Sequence, residues 1–153
     1  MKYDFYEFLK LDAQKSGIEK IVVGGIVNNS KGEILLLTRK ADDFMPSIDE
    51  LPSGNLDMGE NIRHGLLREI NEETGMSVVR INGYINYFDY LSGSGKKARQ
   101  FNFSITPNTE SVILSEHDDF KWQTVEQIRG NKKITPEVKK CIEIYNFNEQ
   151  MKL

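Results

Sequence analysis

The stretch GNLDMGENIRHGLLREINEETGM, residues 54–76, sets Glu69, Glu72 and Glu73 within one and a half turns of a predicted helix. Asn61 can cap its start, and Gly75 can take the left-handed conformation that ends it. Between them Ile62, Leu66, Ile70 and Thr74 fall on one stripe, with Leu67 at its edge, so this stripe is expected to face the core. The three glutamates project onto the neighbouring stripe, at the rim of the core, where they are expected to be only partly solvated. Two such charges about 6 Å apart, at an effective dielectric near 20, repel by roughly 3 kcal/mol. A divalent cation among them reverses the sign. Arg68, four residues before Glu72, can pair with it and hold one carboxylate in place. Gly65 costs a helix interior about 1 kcal/mol relative to alanine, which points to close approach by another segment. A donor set of oxygens, with no clustered His or Cys, suits Mg²⁺ or Mn²⁺ better than zinc.

Working outward, IEKIVVGGIVNN and GEILLLTRK read as two strands joined by a hairpin through Asn28-Asn29-Ser30-Lys31-Gly32. ADDFMPSIDE, residues 41–50, is expected to be a loop bordering the site, followed by a brief Glu50-Leu51-Pro52 segment. Beyond the helix, SVVRINGYINYFDYLSG and KKARQFNFSI form a second predicted hairpin, turning at Gly93-Ser94-Gly95-Lys96. A short strand is expected around Lys121-Trp122, then a helix capped by Thr124 with Gln127, and a final helix from Pro136 to about Asn148. At the other end, Phe5, Phe8, Leu9 and Ala13 place a short helix over residues 3–14. Strand hairpins interleaved with helices predict an α/β domain with a mixed sheet between helical layers. The expected organisation is a single domain over residues 1–153 with an N-terminal helical extension at about 1–16.

A chain of 153 residues with 39% hydrophobic and 28% charged side chains has the make-up of a globular domain. No apolar run approaches the roughly 20 residues needed to cross a bilayer, and no signal peptide is evident at the N-terminus. A cytoplasmic location is the expectation. The formal charge of −3 offers no general attraction to nucleic acid polymers or anionic lipid. The single cysteine, Cys141, fits a small buried residue on an amphipathic helix.

The spacing Gly54, Glu60, Arg68-Glu69-Ile70-Asn71-Glu72-Glu73-Thr74-Gly75-Met76 resembles the Nudix box, G-x5-E-x7-R-E-U-x-E-E-x-G-U with U apolar, and matches it at every defined position. The layout of predicted elements also resembles the Nudix α/β/α sandwich. The resemblance implies divalent-metal-dependent hydrolysis of a nucleoside diphosphate linked to a further group. It implies Glu69, Glu72 and Glu73 as metal ligands, Glu69 also as a candidate general base, Arg68 as the orienting arginine and Glu60 as a structural carboxylate at the helix start. In the mutator-type nucleoside triphosphate pyrophosphohydrolases of the family, a backbone carbonyl just before the box glycine joins the metal. Here that residue is Ser53, in LPSG where those enzymes usually have PGG. Gly65 stands where relatives usually carry alanine.

A further glutamate outside the box is common in the family, and Glu116 in LSEHDDFKW matches its place. Arg39 and Lys40 stand where similar pyrophosphohydrolases carry basic residues that meet substrate phosphates, and strand alternation turns only one of them toward the site. Arg99, alternating with Phe101 and Phe103, is a third candidate for phosphate or base. The pattern after the box in NADH-cleaving relatives is missing, as is the proline that ADP-ribose hydrolases often carry. The similarity of TRKADDFMPSIDELPSG to mutator-type enzymes leads to the expectation of a nucleoside triphosphate, oxidised or not, cleaved to monophosphate and pyrophosphate. Nucleotide sugars, dinucleoside polyphosphates and a non-catalytic nucleotide-binding regulator are the alternatives. A homodimer is also among the expectations of the resemblance.

Overall fold

The computed structural model describes residues 4–152. The expected extension at about 1–16 lies outside the described residues at 1–3. Its remainder forms helix α1, Phe5–Lys15, capped by the Asp4 side chain. Leu9 and Ala13 are buried, and Tyr6 packs against the same core. Phe5 and Phe8, expected on that stripe, are exposed, because a helix laid on a sheet buries only the narrow face that Tyr6, Leu9 and Ala13 share.

The two apolar runs become β1, Lys20–Val27, and β2, Ile34–Thr38, but not the expected hairpin. They meet through a single bridge, Asn28 to Ile34, and enter different sheets. The sequence holds the reason. Neither run alternates polar with apolar residues, and strands of this kind are buried on both faces and take a neighbour on each edge. β1 finds its neighbours in β4, Ser53–Asn55, and β6, Lys97–Pro107. β2 finds its own in β3, Asp49–Glu50, and β7, Asp119–Gln123.

The larger sheet has the order β4-β1-β6-β5, where β5 is Val78–Leu91. β1 runs parallel to β6, while β1 with β4 and β5 with β6 pair antiparallel, so the sheet is mixed. The second hairpin forms as expected between β5 and β6. Its turn is closed by Ser92 N–H donating to the Lys96 carbonyl at 2.9 Å. The smaller sheet has the order β3-β2-β7 and is antiparallel.

Period-two alternation sorts the side chains of β2 between two cores. Leu35 and Leu37 join Val23, Phe101 and Phe103 under α1 and α2, Ile62–Thr74. Ile34 and Leu36 join Ile26, Leu51 and Val138 under α3, Val125–Arg129, and α4, Pro136–Gln150. Helices thus cover both sides of a central mixed sheet, the α/β sandwich predicted. Cys141 is fully buried on α4, as expected, and burial pushes its thiol up to about 12, which leaves it unreactive at neutral pH. No helix among the described residues is long and apolar enough to cross a membrane.

Candidate active site

α2 starts where Asn61 Oδ1 accepts the His64 N–H at 2.8 Å and ends at Gly75, whose φ is 74°. Ile62, Leu66, Ile70 and Thr74 are buried, as is Gly65. The close approach expected at Gly65 is made by Leu56, whose side chain a β-carbon there would strike, with Glu60 Oε1 3.0 Å away. α2 is thereby seated on the loop that leads from β4.

Arg68 is held more tightly than a helix-spaced pair with Glu72 requires. Its Nε and Nη2 donate to the two oxygens of Glu60, each at 2.8 Å. Nη1 donates to Glu69 at 2.8 Å and to Glu72 at 3.0 Å, and Nη2 also reaches the Asn55 carbonyl. Glu60 is 7% exposed. The Arg68 guanidinium, helped by the Asp57 N–H and His64, outweighs burial and holds its carboxyl down at about 2. His64 is exposed and reaches Glu60 through Nδ1.

The three box glutamates differ in setting. Glu72 is exposed at 55%, more open than the rim position expected from its stripe, because it lies on the solvent side of Arg68. Glu69 is 12% exposed, and burial raises its carboxyl above the ordinary range against the pull of Arg68. Its carboxylate lies directly against Gly54. Glu73 accepts the Ser53 N–H at 3.0 Å. Burial, joined by the charges of Glu50, Glu69 and Glu116, raises its carboxyl to about 9 despite that bond.

Glu116 is exposed on the loop before β7, within electrostatic reach of Glu73. Its neighbour His117 has a side chain only 8% exposed, and its Nε2 meets Glu50 Oε2 at 2.9 Å. The same Glu50 oxygen accepts from Arg39 Nε at 2.8 Å, and Arg39 Nη1 donates to the Phe44 carbonyl at 2.6 Å. Glu50 is thus a hub between the loop at 41–48, the loop bearing Glu116, and the half-buried Glu73. The sequence reading passed over it, although an acidic pair, Asp49-Glu50, flanked by Ile48 and Leu51 is itself a signal. Asp49 is fully buried; hydrogen bonds from Lys121, Thr38 and Asn131 outweigh that burial and lower its carboxyl.

Beside this hub opens a cavity of about 230 Å³, lined by Arg39, Glu50, Ser53, Phe88, Tyr90 and Gln100 among others. Of the three basic candidates, only Arg39 lines it, and its guanidinium is already paired. Lys40 is exposed. Arg99 is not brought to the site: its guanidinium is buried between Asp89 and Asp12 and lies 4.1 Å from the centre of the Tyr87 ring. Asp89 faces it directly across the β5–β6 ladder, a cross-strand ion pair that the linear pattern RQFNF does not reveal.

The donor set fits a hard divalent cation in chemistry, since it consists of carboxylates and backbone oxygen. Among the described residues, no three His, Cys, Asp or Glu side chains stand together as a ready-made cage. Arg68 and the Ser53 N–H instead hold the glutamates in place. Glu73 is half-buried with Glu50, Glu69 and Glu116 in electrostatic reach, so negative charge gathers there and a cation would relieve it.

The NUDIX domain family model matches residues 19–143, and the chain belongs to that family, a class of hydrolases of phosphoanhydride bonds. An RNA pyrophosphohydrolase of Ruthia magnifica subsp. Calyptogena magnifica is 27% identical over 86% of this chain and 85% of its own length. An 8-oxo-dGTP diphosphatase of Escherichia coli (strain K12) is 38% identical over 35% of this chain and 41% of its own. Among solved structures, the MutT protein of Methanosarcina mazei Go1 superposes with a TM-score of 0.77 at 27% identity, covering 87% of this chain and 96% of the other. At the level of the family, the activity is hydrolysis of a pyrophosphate bond in a nucleotide.

Proposed function

We propose that the chain hydrolyses a nucleoside triphosphate to the monophosphate and pyrophosphate, with Mg²⁺ or Mn²⁺ as cofactor. One observation carries this reading. Ser53 and Glu50 line the cavity, while Ser53 also binds Glu73 through its N–H and Glu50 acts on Glu73 by its charge. A nucleoside seated in the cavity would therefore present its phosphates to the carboxylates.

In this reading Glu69, Glu73 and Glu116, with the Ser53 carbonyl and the more exposed Glu72, hold the cation. When bound, it supplies a water of lowered pKa and neutralises charge on the phosphates. Glu69, supported by Arg68, is the candidate to take the proton of the attacking water. Arg68 keeps that carboxylate turned toward Gly54, and Glu60 keeps Arg68 in place. Arg39 lines the cavity and is the candidate to meet the phosphates, exchanging its bond to Glu50 for one to substrate. The 8-oxo-dGTP diphosphatases that resemble the chain are named for a substrate of this class.

The test is a panel of nucleoside triphosphates, oxidised dNTPs, ADP-ribose and diadenosine polyphosphates, assayed with Mg²⁺ for monophosphate and pyrophosphate. Release of pyrophosphate from a triphosphate, lost in Glu69→Gln and Glu73→Gln, is the expected result. Turnover confined to ADP-ribose or to dinucleosides would replace the substrate assignment. Near wild-type turnover in both variants would overturn the assignment of the site.

A further inference from the structure

Three amides lie in a row where the sheet faces α4. Gln100 Nε2 donates to Asn102 Oδ1 at 2.8 Å, and Asn102 Nδ2 donates to Asn86 Oδ1 at 3.1 Å. Asn102 is fully buried and Gln100 is 6% exposed, so their amides sit where unpaired polar groups are costly. The neighbouring strand makes room for them: a β-carbon on Gly24 would come within 2.6 Å of Gln100 Nε2 and 2.7 Å of Asn102 Oδ1. The row fixes the Gln100 carboxamide at the wall of the cavity. One N–H is used inside the row, so the carbonyl oxygen and the second N–H remain to be met from the cavity.

We propose that Gln100 is the specificity-determining residue of this cavity and that its carboxamide reads the amino edge of an adenine base. The assignment rests on the nucleotide reading above, which puts the base in this cavity. A carboxamide offers one donor beside one acceptor, the complement of the adenine 6-amino group and its adjacent ring nitrogen. Reversing every amide in the row would leave the same pair on offer. The corresponding edge of guanine carries two acceptors, O6 and N7, which a donor beside an acceptor does not match. Phe88 faces Gln100 across the β5–β6 ladder, and Tyr90 stands two residues on, so aromatic surface is at hand for the face of the base.

The experiment measures binding by calorimetry, using the α,β-methylene triphosphates of adenosine, guanosine and purine riboside, the last lacking the amino group. Wild type is expected to bind the adenosine analogue about 10-fold or more tightly than either of the others. Gln100→Leu should bind the adenosine and purine riboside analogues equally. Gln100→Glu, which keeps an acceptor but loses the donor, should fall between and covers the case in which Gln100→Leu does not fold. Equal wild-type affinities for the adenosine and purine riboside analogues, tighter binding of guanosine, no binding at all, or discrimination surviving both substitutions would each overturn the proposal. Selective binding by wild type with no release of pyrophosphate from ATP and Mg²⁺ would instead count against the hydrolase reading and leave the role of Gln100 standing.

Discussion

Gly54 and Glu69 are in contact so close that a β-carbon on the glycine would lie against both carboxylate oxygens, Oε1 at 2.7 Å and Oε2 nearer still. The glycine at this position is required by its partner across space and not by its own backbone, which has no positive φ. Gly54→Ala is therefore expected to fold, since β4 tolerates alanine, and to push Glu69 out of place. A displacement of about 1 Å at a catalytic group can cost on the order of 100-fold in rate. Steady-state turnover together with a thermal melt checks this: kcat should fall by about that factor, with the Tm shifted far less than by loss of a core side chain.

Glu73 gives a stability prediction with the opposite sign to the usual one for a paired carboxylate. Its carboxyl is raised from 4.5 to about 9 by burial and by its acidic neighbours. The folded state thus holds a proton more firmly than the unfolded state, and stability is lost as pH rises from the unfolded value toward 9. Glu73→Gln removes that loss. In EDTA at pH 8 the variant is expected to be more stable than wild type by on the order of 1 kcal/mol or more, while losing activity. Chemical denaturation at pH 5 and pH 8 tests it, since the advantage should shrink at pH 5. Mn²⁺ binding to wild type should likewise release a proton, read as a dependence of calorimetric enthalpy on the ionisation heat of the buffer.

Glu60 behaves the other way. Its carboxyl is lowered to about 2 by Arg68, so its contribution is fully present above 4.5 and is lost as pH falls through 2. Glu60→Gln leaves Arg68 without its main partner and is expected to cost about 2 kcal/mol at pH 7. The difference from wild type should narrow on acid titration below pH 4.5. Activity should fall as well, because Arg68 carries the link from Glu60 to Glu69.

His117 tethers the loop bearing Glu116 to Glu50, and its Nδ1 is buried with no partner among the described residues. A buried nitrogen left unpaired costs about 1–3 kcal/mol, so the tether is kept at some expense. His117→Ala is expected to weaken Mn²⁺ affinity by about 10-fold, the range seen when groups supporting metal ligands are removed. Electron paramagnetic resonance of free Mn²⁺ gives the affinity directly. Little change in stability is expected, since the lost contact with Glu50 and the relieved nitrogen offset one another.

Much of α2 was legible because its signals are local. Asn61, Gly75 and the stripe Ile62, Leu66, Ile70 and Thr74 lie within a few residues of what they touch. The Thr124–Gln127 capping box was readable for the same reason. What failed to show depends on neighbours distant in sequence. Arg68 was assigned to Glu72 by helical spacing, yet its firmest partner is Glu60, brought round by the loop before the helix. Arg99 looked available until Asp12, 87 residues away, and Asp89 closed on it. The first hairpin looked natural because its turn residues are right, but the unbroken apolar character of both strands called for two partners each, and those come from later in the chain.

That parting of β1 and β2 has a bearing on the site. β3, with Glu50, belongs to the smaller sheet, and β4, with Ser53 and Gly54, to the larger one. Leu51 and Pro52 alone carry the chain across, both buried. Glu50 therefore rides on one sheet, while Ser53 rides on the other and grips Glu73. The carboxylates and the cavity straddle a seam, and the spacing of Glu50 and Glu73 is held by the two cores that both sheets share.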